Sequence, residues 1–329
     1  MNTETVPSIP ITLRVLRAAL HALKLNAGSH LICNAPFVRR LASRIKADRI
    51  LTSTPGGFLM EADVNDYNGR KLLLFGTNDW KINRTVNALL FEQDVFLDIG
   101  ANYGTVGFGA TPQVGRNGEV HLFEPQPDLA DRLATAIRGR GKRNVHVHQL
   151  ALGALDGELP MSVPTGHSGR GSLVGSAPAS GERFLVTVRA AHNFVASLVG
   201  QRPFGAKIDA EGADLEIIRS IAPLGNCRFI VYEGGADRQE ICRYLIESGF
   251  AVFGISRSLL VPSVVALDGP ADSLKYHDAA AVRLSDENAA GAHLGLGSSK
   301  VYLGQLRSMA RAQRDLASVR VPVQRRAEQ

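Results

Sequence analysis

No run of apolar residues in this sequence approaches the roughly 18 needed to cross a bilayer, which excludes a helical membrane span. Cysteine is scarce: the three present, Cys33, Cys227 and Cys242, are too scattered for a disulfide framework, and no two stand at a metal-ligand spacing. They read as reduced thiols in a cytoplasmic protein. The first residues, with Glu4 among them, lack the charged-then-apolar layout of a secretory signal. Internal repeats and long low-complexity tracts are also missing. What remains is the composition of a globular chain of 329 residues, 45% hydrophobic and 21% charged. That length suits one large α/β domain with extensions or two modest domains.

Charge is unevenly spread. Residues 1–50 carry eight Lys/Arg against two Asp/Glu, and residues 289–329 carry seven against two, so two basic arms flank a mildly acidic body. Between Ile11 and Leu25, Arg14, Arg17, His21 and Lys24 recur at helical spacing as a polar stripe on an otherwise apolar helix. Such a helix could lie on an anionic membrane surface, giving a cytoplasmic protein a route to the inner face of the membrane. The simpler alternative packs the Leu residues on the body and leaves the basic face wet. A second amphipathic helix is expected over Phe37–Ile50, followed by strand-like runs at Phe58–Val64 and Lys71–Phe75. A basic helix is expected over Val301–Leu316.

The central region alternates in type. Val95–Ile99, Val120–Phe123, Val145–Gln149, Gly205–Ile208 and Phe229–Tyr232 are apolar runs of strand length. Helical patterns at Asp128–Ile137, Ala213–Ile221 and Arg238–Glu247 lie among them. Strands alternating with helices predict an α/β fold with a doubly wound, mostly parallel sheet. Ala251–Ile255 and Ala279–Leu284 are expected to form an antiparallel edge hairpin, and the Gly/Ser/Pro-rich stretch Pro160–Gly181 a long functional loop. The division expected is an N-terminal helical and strand cap over 1–90, a catalytic domain over 91–287 and a basic tail over 288–329.

Asp98-Ile99-Gly100-Ala101-Asn102-Tyr103-Gly104 directly follows an apolar strand. In a doubly wound sheet, ligands bind at this carboxyl edge, and glycines let the backbone approach them closely. A dinucleotide pyrophosphate would be repelled by a carboxylate at Asp98. S-adenosylmethionine, with its ammonium and sulfonium, would be attracted. The next strand ends in Glu124, where a carboxylate can accept both hydroxyls of a ribose. Asp98, Gly100, Asn102, Gly104 and Glu124 are therefore the expected cofactor residues.

Taken with Phe123-Glu124-Pro125, Ala151-Leu152-Gly153, Ser172-Leu173, Lys207-Ile208-Asp209-Ala210-Glu211-Gly212 and Tyr232-Glu233, the sequence resembles the FkbM family of methyltransferases over roughly residues 56–285. The resemblance implies a class I, Rossmann-like methyltransferase fold and O-methylation of a hydroxyl, often on a sugar of a glycolipid, polysaccharide or secondary metabolite. It also brings Ser172 into the cofactor set. The chain departs from the family at Ala190-Ala191-His192-Asn193, where Thr-Leu-Asp-Asp is common.

Methyl transfer needs an acceptor oxygen about 3–3.5 Å from the methyl carbon, and a placed base that takes the hydroxyl proton contributes about 10²–10⁴-fold. Asp209 is the first candidate for base or anchor and Glu211 the second, unless Glu211 caps the helix that follows. Glu233 and His192 are candidate substrate contacts, with His148 a weaker base. Three carboxylates could also hold Mg²⁺, although nothing in their spacing requires a metal. Trp80 could roof the cofactor, but packing is favoured. A pI of about 9.4 raises a nucleic-acid methyltransferase as an alternative. Against it, two acids in Asp209–Gly212 would face a polyanion. An inactive cofactor-binding protein is the remaining alternative, against which Asp98, Glu124 and Asp209 all stand intact. The acceptor expected is a small molecule or glycan.

Overall fold

The computed structural model describes residues 11–22, 29–42, 45, 48–172, 180–256, 263–284 and 300–301. The chain begins with α1 (Ile11–Ala22), α2 (Ser29–Asn34) and α3 (Pro36–Ala42). An antiparallel pair follows, β1 (Arg49–Ser53) and β2 (Leu59–Asp63), and then α4 (Tyr67–Phe75) and α5 (Trp80–Leu89).

Alternation of β3 (Val95–Ile99), α6 (Thr105–Val114), β4 (Glu119–Phe123), α7 (Pro127–Arg140) and β5 (Val145–His148) comes next. A short excursion, β6 (Ala151–Gly153), β7 (Gly157–Pro164) and β8 (Gly181–Ala190), forms its own three-stranded sheet in the order β6-β8-β7. The chain continues through α8 (Ala191–Val199), β9 (Phe204–Ile208), α9 (Asp214–Ile221), β10 (Cys227–Glu233), α10 (Arg238–Glu247), β11 (Phe250–Ser256), β12 (Ser263–Ala266), β13 (Asp278–Arg283) and β14 (Lys300–Val301).

The main sheet has the order β14-β12-β11-β13-β10-β9-β3-β4-β5. Strands β5, β4, β3, β9 and β10 are parallel, and β13 enters antiparallel between β10 and β11. The two late runs therefore pair as expected, but β12 and β14 extend the sheet beyond them, so they are not its edge.

Apolar side chains fill both faces, as parallel strands covered on both sides require. One core joins α1, α2, α4, α5, α6 and α7 to the sheet, and the other joins α8, α9 and α10. Leu13, Cys33, Leu72 and Val86 from the N-terminal elements share the first core with Phe96, Leu122 and Val231 of the sheet. α6 carries no amphipathic stripe because Thr105 through Thr111 are all buried, which is why no helix is legible there.

Several local expectations change. Lys71–Phe75 is helical, the second half of α4. Asp66 caps its first turn by accepting from the Gly69 amide, and Gly76, in the left-handed conformation, closes it on the Leu72 carbonyl. The apolar run there reflects burial of Leu72, Leu73, Leu74 and Phe75, not strand alternation. The helix expected over Phe37–Ile50 is shorter: α3 ends at Ala42, and in β1 the alternating pattern turns Ile50 and Thr52 inward. The stretch Pro160–Gly181 is no single loop, since β7 and β8 pair from Gly157↔Val188 to Pro164↔Gly181.

The basic stripe of α1 is also broken. Leu13 and Leu20 are buried, but Arg17 turns inward and its Nη1 donates to Thr52 Oγ1 at 2.7 Å. Lys24, the side chain of His21 and residues 302–316 lie outside the described residues. Among the described residues, no helix is long and apolar enough to cross a membrane.

Candidate active site

Strand register lines up the chemistry. Ile99 stands level with Phe123 on one side and Ile208 on the other, and Ile208 with Tyr232. The residues one step beyond, Glu124, Gly100, Asp209 and Glu233, therefore emerge in a row at the carboxyl edge. They line a cavity of about 370 Å³, within the range of small-molecule sites.

Asp98 lies one residue inside that edge, 1% exposed, and does not line the cavity. Its Oδ2 accepts from the Gly107 amide in the first turn of α6 at 2.8 Å. Asp98 and Lys207 are register partners on neighbouring parallel strands, which puts their side chains on one face, with Lys207 Nζ 3.4 Å from Asp98 Oδ1. The ammonium also donates to the Gly100 carbonyl at 2.7 Å and lies 3.5 Å from Asp209 Oδ2. Burial alone would lower the Lys207 pKa, but Asp209 and Asp98 more than offset this and raise it. The attraction expected between Asp98 and a cationic ligand is thus met inside the protein. Asp98 anchors the floor of the site through α6 and Lys207.

Glu124 is 2% exposed yet lines the cavity. Its Oε2 accepts from the Asn102 amide at 2.7 Å and its Oε1 from the Gln126 amide at 2.9 Å. Each carboxylate oxygen can accept more than one bond, so capacity remains for ligand hydroxyls. Burial pushes the Glu124 carboxyl up to about 7, against the pull of those amides.

Asn102, held in the left-handed region at φ 50°, lines the same wall and donates from Nδ2 to Ser168 Oγ at 3.1 Å. Ser168 is a hub that sequence reading did not single out. Its amide and hydroxyl donate to Asp66, and its carbonyl accepts from Gln126 Nε2. The only signal for it was the Gly/Ser-rich composition of the surrounding stretch.

Opposite lies an acidic wall. Asp209 and Glu211 follow β9, and Glu233 ends β10. Glu211 does not cap α9, which has no side-chain cap; Asp214 in its first turn ties down the preceding loop by accepting from the Ala210 and Gly212 amides, while Glu211 faces the cavity at φ 47°. Partial burial and the charges of Asp209 and Asp214 raise Glu211 to about 7. Burial, Asp209 and Glu211 raise Glu233 to about 8. Beside Glu233 stands a residue that sequence reading missed, His277, whose Nε2 is 3.2 Å from Glu233 Oε1. No motif marks it, because it arrives from the start of β13, 44 positions along the chain, where Asp278 is the register partner of Glu233.

The remaining sequence candidates fall outside the lining. Gly104, at φ 66°, starts α6 beneath the loop, against Leu133 and Phe108. Ser172 bridges to Ser162 and donates its hydroxyl to the Glu211 carbonyl at 3.0 Å, so it supports the wall from behind. His192 faces away from the site, its Nδ1 2.9 Å from the Ser220 carbonyl, so helix packing explains it without a substrate. His148 belongs to a bonded histidine cluster with His121. Trp80 is half-buried at the start of α5 and does not line the cavity. The departure at Ala190–Asn193 leaves α8 without a side-chain cap of its own, and Asp156 accepts from the Ala190 amide instead, at 2.6 Å.

Residues 98–252 match the methyltransferase FkbM domain. No curated protein sequence matches the chain. Among solved structures, the fold is similar to methyltransferase FkbM from Methylobacillus flagellatus, at 14% identity and a TM-score of 0.38, covering 78% of this chain and 60% of that one. An rRNA methylase from Streptococcus thermophilus is similar at 10% identity and a TM-score of 0.34, over 62% of this chain and 94% of that one. Aeropyrum pernix fibrillarin, solved with S-adenosyl-L-methionine, is similar at 16% identity and a TM-score of 0.34, over 62% of this chain and 76% of that one.

Proposed function

We propose that this chain, a methyltransferase with an FkbM domain, transfers a methyl group from S-adenosylmethionine to a hydroxyl of a glycan or small-molecule acceptor. The observation that carries this reading is the row of strand ends. Glu124 supplies a carboxylate with spare acceptor capacity on one wall, and Asp209, Glu211 and Glu233 supply an acidic opposite wall. Such a wall suits a hydroxylic acceptor, because carboxyls raised to about 7 and 8 can accept or share its proton near neutral pH. Gly100, Asn102 and Glu124 would hold the cofactor, with Asp98 and Lys207 fixing the floor beneath them. S-adenosylmethionine supplies an electrophilic methyl group. Asp209, which lines the cavity next to the Lys207 ammonium, would accept a hydrogen bond from the acceptor hydroxyl and orient it.

Calorimetry is expected to show binding of S-adenosylhomocysteine and none of NAD; the opposite pattern would sink the assignment. Glu124→Ala should weaken S-adenosylhomocysteine binding by about 1.5–3 kcal/mol, the worth of a charge-assisted hydrogen bond. The affinity should also depend on pH. Glu124, raised to about 7, carries its charge at pH 8 and has largely lost it at pH 6. Binding should therefore weaken by up to about tenfold on going from pH 8 to pH 6, and Glu124→Ala should flatten the dependence. An affinity for wild type that is constant over this interval would remove the ionised Glu124 from the ribose contact.

Asp209→Asn is expected to lower turnover about 10²-fold while leaving S-adenosylhomocysteine affinity nearly unchanged. Wild-type turnover in that variant would make Asp209 a structural partner of Lys207 alone.

A further inference from the structure

We propose that Glu233 and His277, with Asp278 orienting the imidazole, form a binding site for a divalent transition-metal ion at the acceptor end of the cavity.

Asp278 is 6% exposed and is paired with Lys81, which α5 carries into the protein beside the start of β13. Its Oδ1 stands 3.4 Å from His277 Nδ1. A buried carboxylate on one ring nitrogen keeps the proton there and leaves the other nitrogen as a lone-pair donor, the usual way proteins present histidine to a metal. The other nitrogen, Nε2, faces Glu233 Oε1 at 3.2 Å. A metal ion placed there would take one ligand atom from each, in place of the hydrogen bond or ion pair the two side chains otherwise share.

The separation also has the right size. Two donors each about 2.1 Å from one ion, and roughly 90–109° apart around it, stand about 3.0–3.4 Å from each other. The donor atoms of Glu233, His277 and Asp278 all lie within 4.8 Å of one another. Asp209 and Glu211 line the same wall and can supply a further oxygen, directly or through water. Lys207 is already engaged by Asp98 and Asp209. An imidazole among carboxylates favours Mn²⁺ or Zn²⁺ over Mg²⁺, which prefers an all-oxygen shell.

A second group with metal-ligand spacing, Glu119, His121 and His146, is held by a competing cation. Arg202 holds Glu119 there, and both ring nitrogens of His121 are bonded, to Glu119 and His148. In the Glu233 site, an ion would lower the pKa of an acceptor hydroxyl bound to it. That use rests on the methyl-transfer reading, whereas the binding of the ion does not.

The test is a titration of the full chain with Mn²⁺, followed by the loss of the free-ion EPR signal, with S-adenosylhomocysteine affinity measured on the same samples. Wild type should bind one Mn²⁺ that Mg²⁺ displaces only at tenfold or greater excess. His277→Ala and Glu233→Gln should each weaken Mn²⁺ at least tenfold, while His146→Ala should leave it unchanged. Retained S-adenosylhomocysteine affinity would certify that the variants are folded. Absence of saturable Mn²⁺ binding by wild type would overturn the site and leave the His277–Glu233 pair bridged by a proton only. Mn²⁺ binding that survives both substitutions, or is lost in His146→Ala, would overturn it as well. Failure of wild type to bind S-adenosylhomocysteine would instead count against the methyltransferase reading of the cavity, and the Mn²⁺ result would stand apart from it.

Discussion

Replacing Lys207 by methionine is expected to lower the unfolding free energy by about 3–5 kcal/mol, the range seen when one member of a buried ion pair is removed. The loss follows from what stays behind. Asp98 is 1% exposed, and only its Oδ2 has a hydrogen-bond donor, the Gly107 amide. Without the ammonium, Oδ1 faces an apolar interior, and the carboxylate must either stay charged there or take a proton. The sign with pH follows. A folded-state pKa raised further above the unfolded value makes the penalty grow as pH rises from the unfolded carboxylate pKa to that of the variant, so the destabilisation should shrink in acid.

Urea unfolding at neutral and acidic pH, with Asp98→Asn and the double variant, completes the cycle. The double variant should be less destabilised than the sum of the singles. Strict additivity would show that the two side chains do not support each other. The same change also removes the donors that Lys207 gives to the Gly100 and Ile99 carbonyls, so S-adenosylhomocysteine affinity should fall along with stability.

Gly100→Ala is expected to be nearly as disruptive, at about 2–5 kcal/mol, and to abolish cofactor-analogue binding. Two effects add. Gly100 sits at φ 71°, where an L side chain costs about 1–2 kcal/mol. A Cβ there would lie 1.9 Å from the Asp209 carbonyl oxygen, a backbone atom with no freedom to rotate aside. Overpacking of this kind costs about 1–3 kcal/mol more. Relief can come only by parting the loop after β3 from the loop after β9, the two that carry Asn102 and Asp209. Thermal unfolding and calorimetry on this variant check the claim. Stability and S-adenosylhomocysteine affinity close to wild type would mean that these loops do not need their present contact.

Both expectations involve residues whose type was legible before their task was. The motif from Asp98 to Gly104 marks a strand end that lines the cavity, and the alternation of strand and helix gives the doubly wound sheet. Asp98 looked like a ligand contact because a carboxylate at a strand end is equally suited to an external cation and to an internal one. Only the register of β3 against β9 puts Lys207 beside it. The misread run Lys71–Phe75 fails for a similar reason: consecutive apolar residues report burial, and a buried helix and a strand share that signature. His277 carries no local signal and Ser168 only the composition of its stretch, since each gains its meaning from partners more than 40 residues away.

By itself the sequence determined the fold class, the strands that end in or just before Asp98, Glu124, Asp209 and Glu233, and the edge of the sheet at which the cavity lies. Hydrophobic periodicity and turn chemistry are local, and they repeat often enough along this chain to be read without coordinates. Tertiary structure alone decided which of those acids face the cavity and which are spent holding it together. It also placed His277 against Glu233 and Ser168 over Asn102. Those outcomes depend on strand register and on antiparallel insertion of β13, which join segments distant in sequence and leave no pattern within either one.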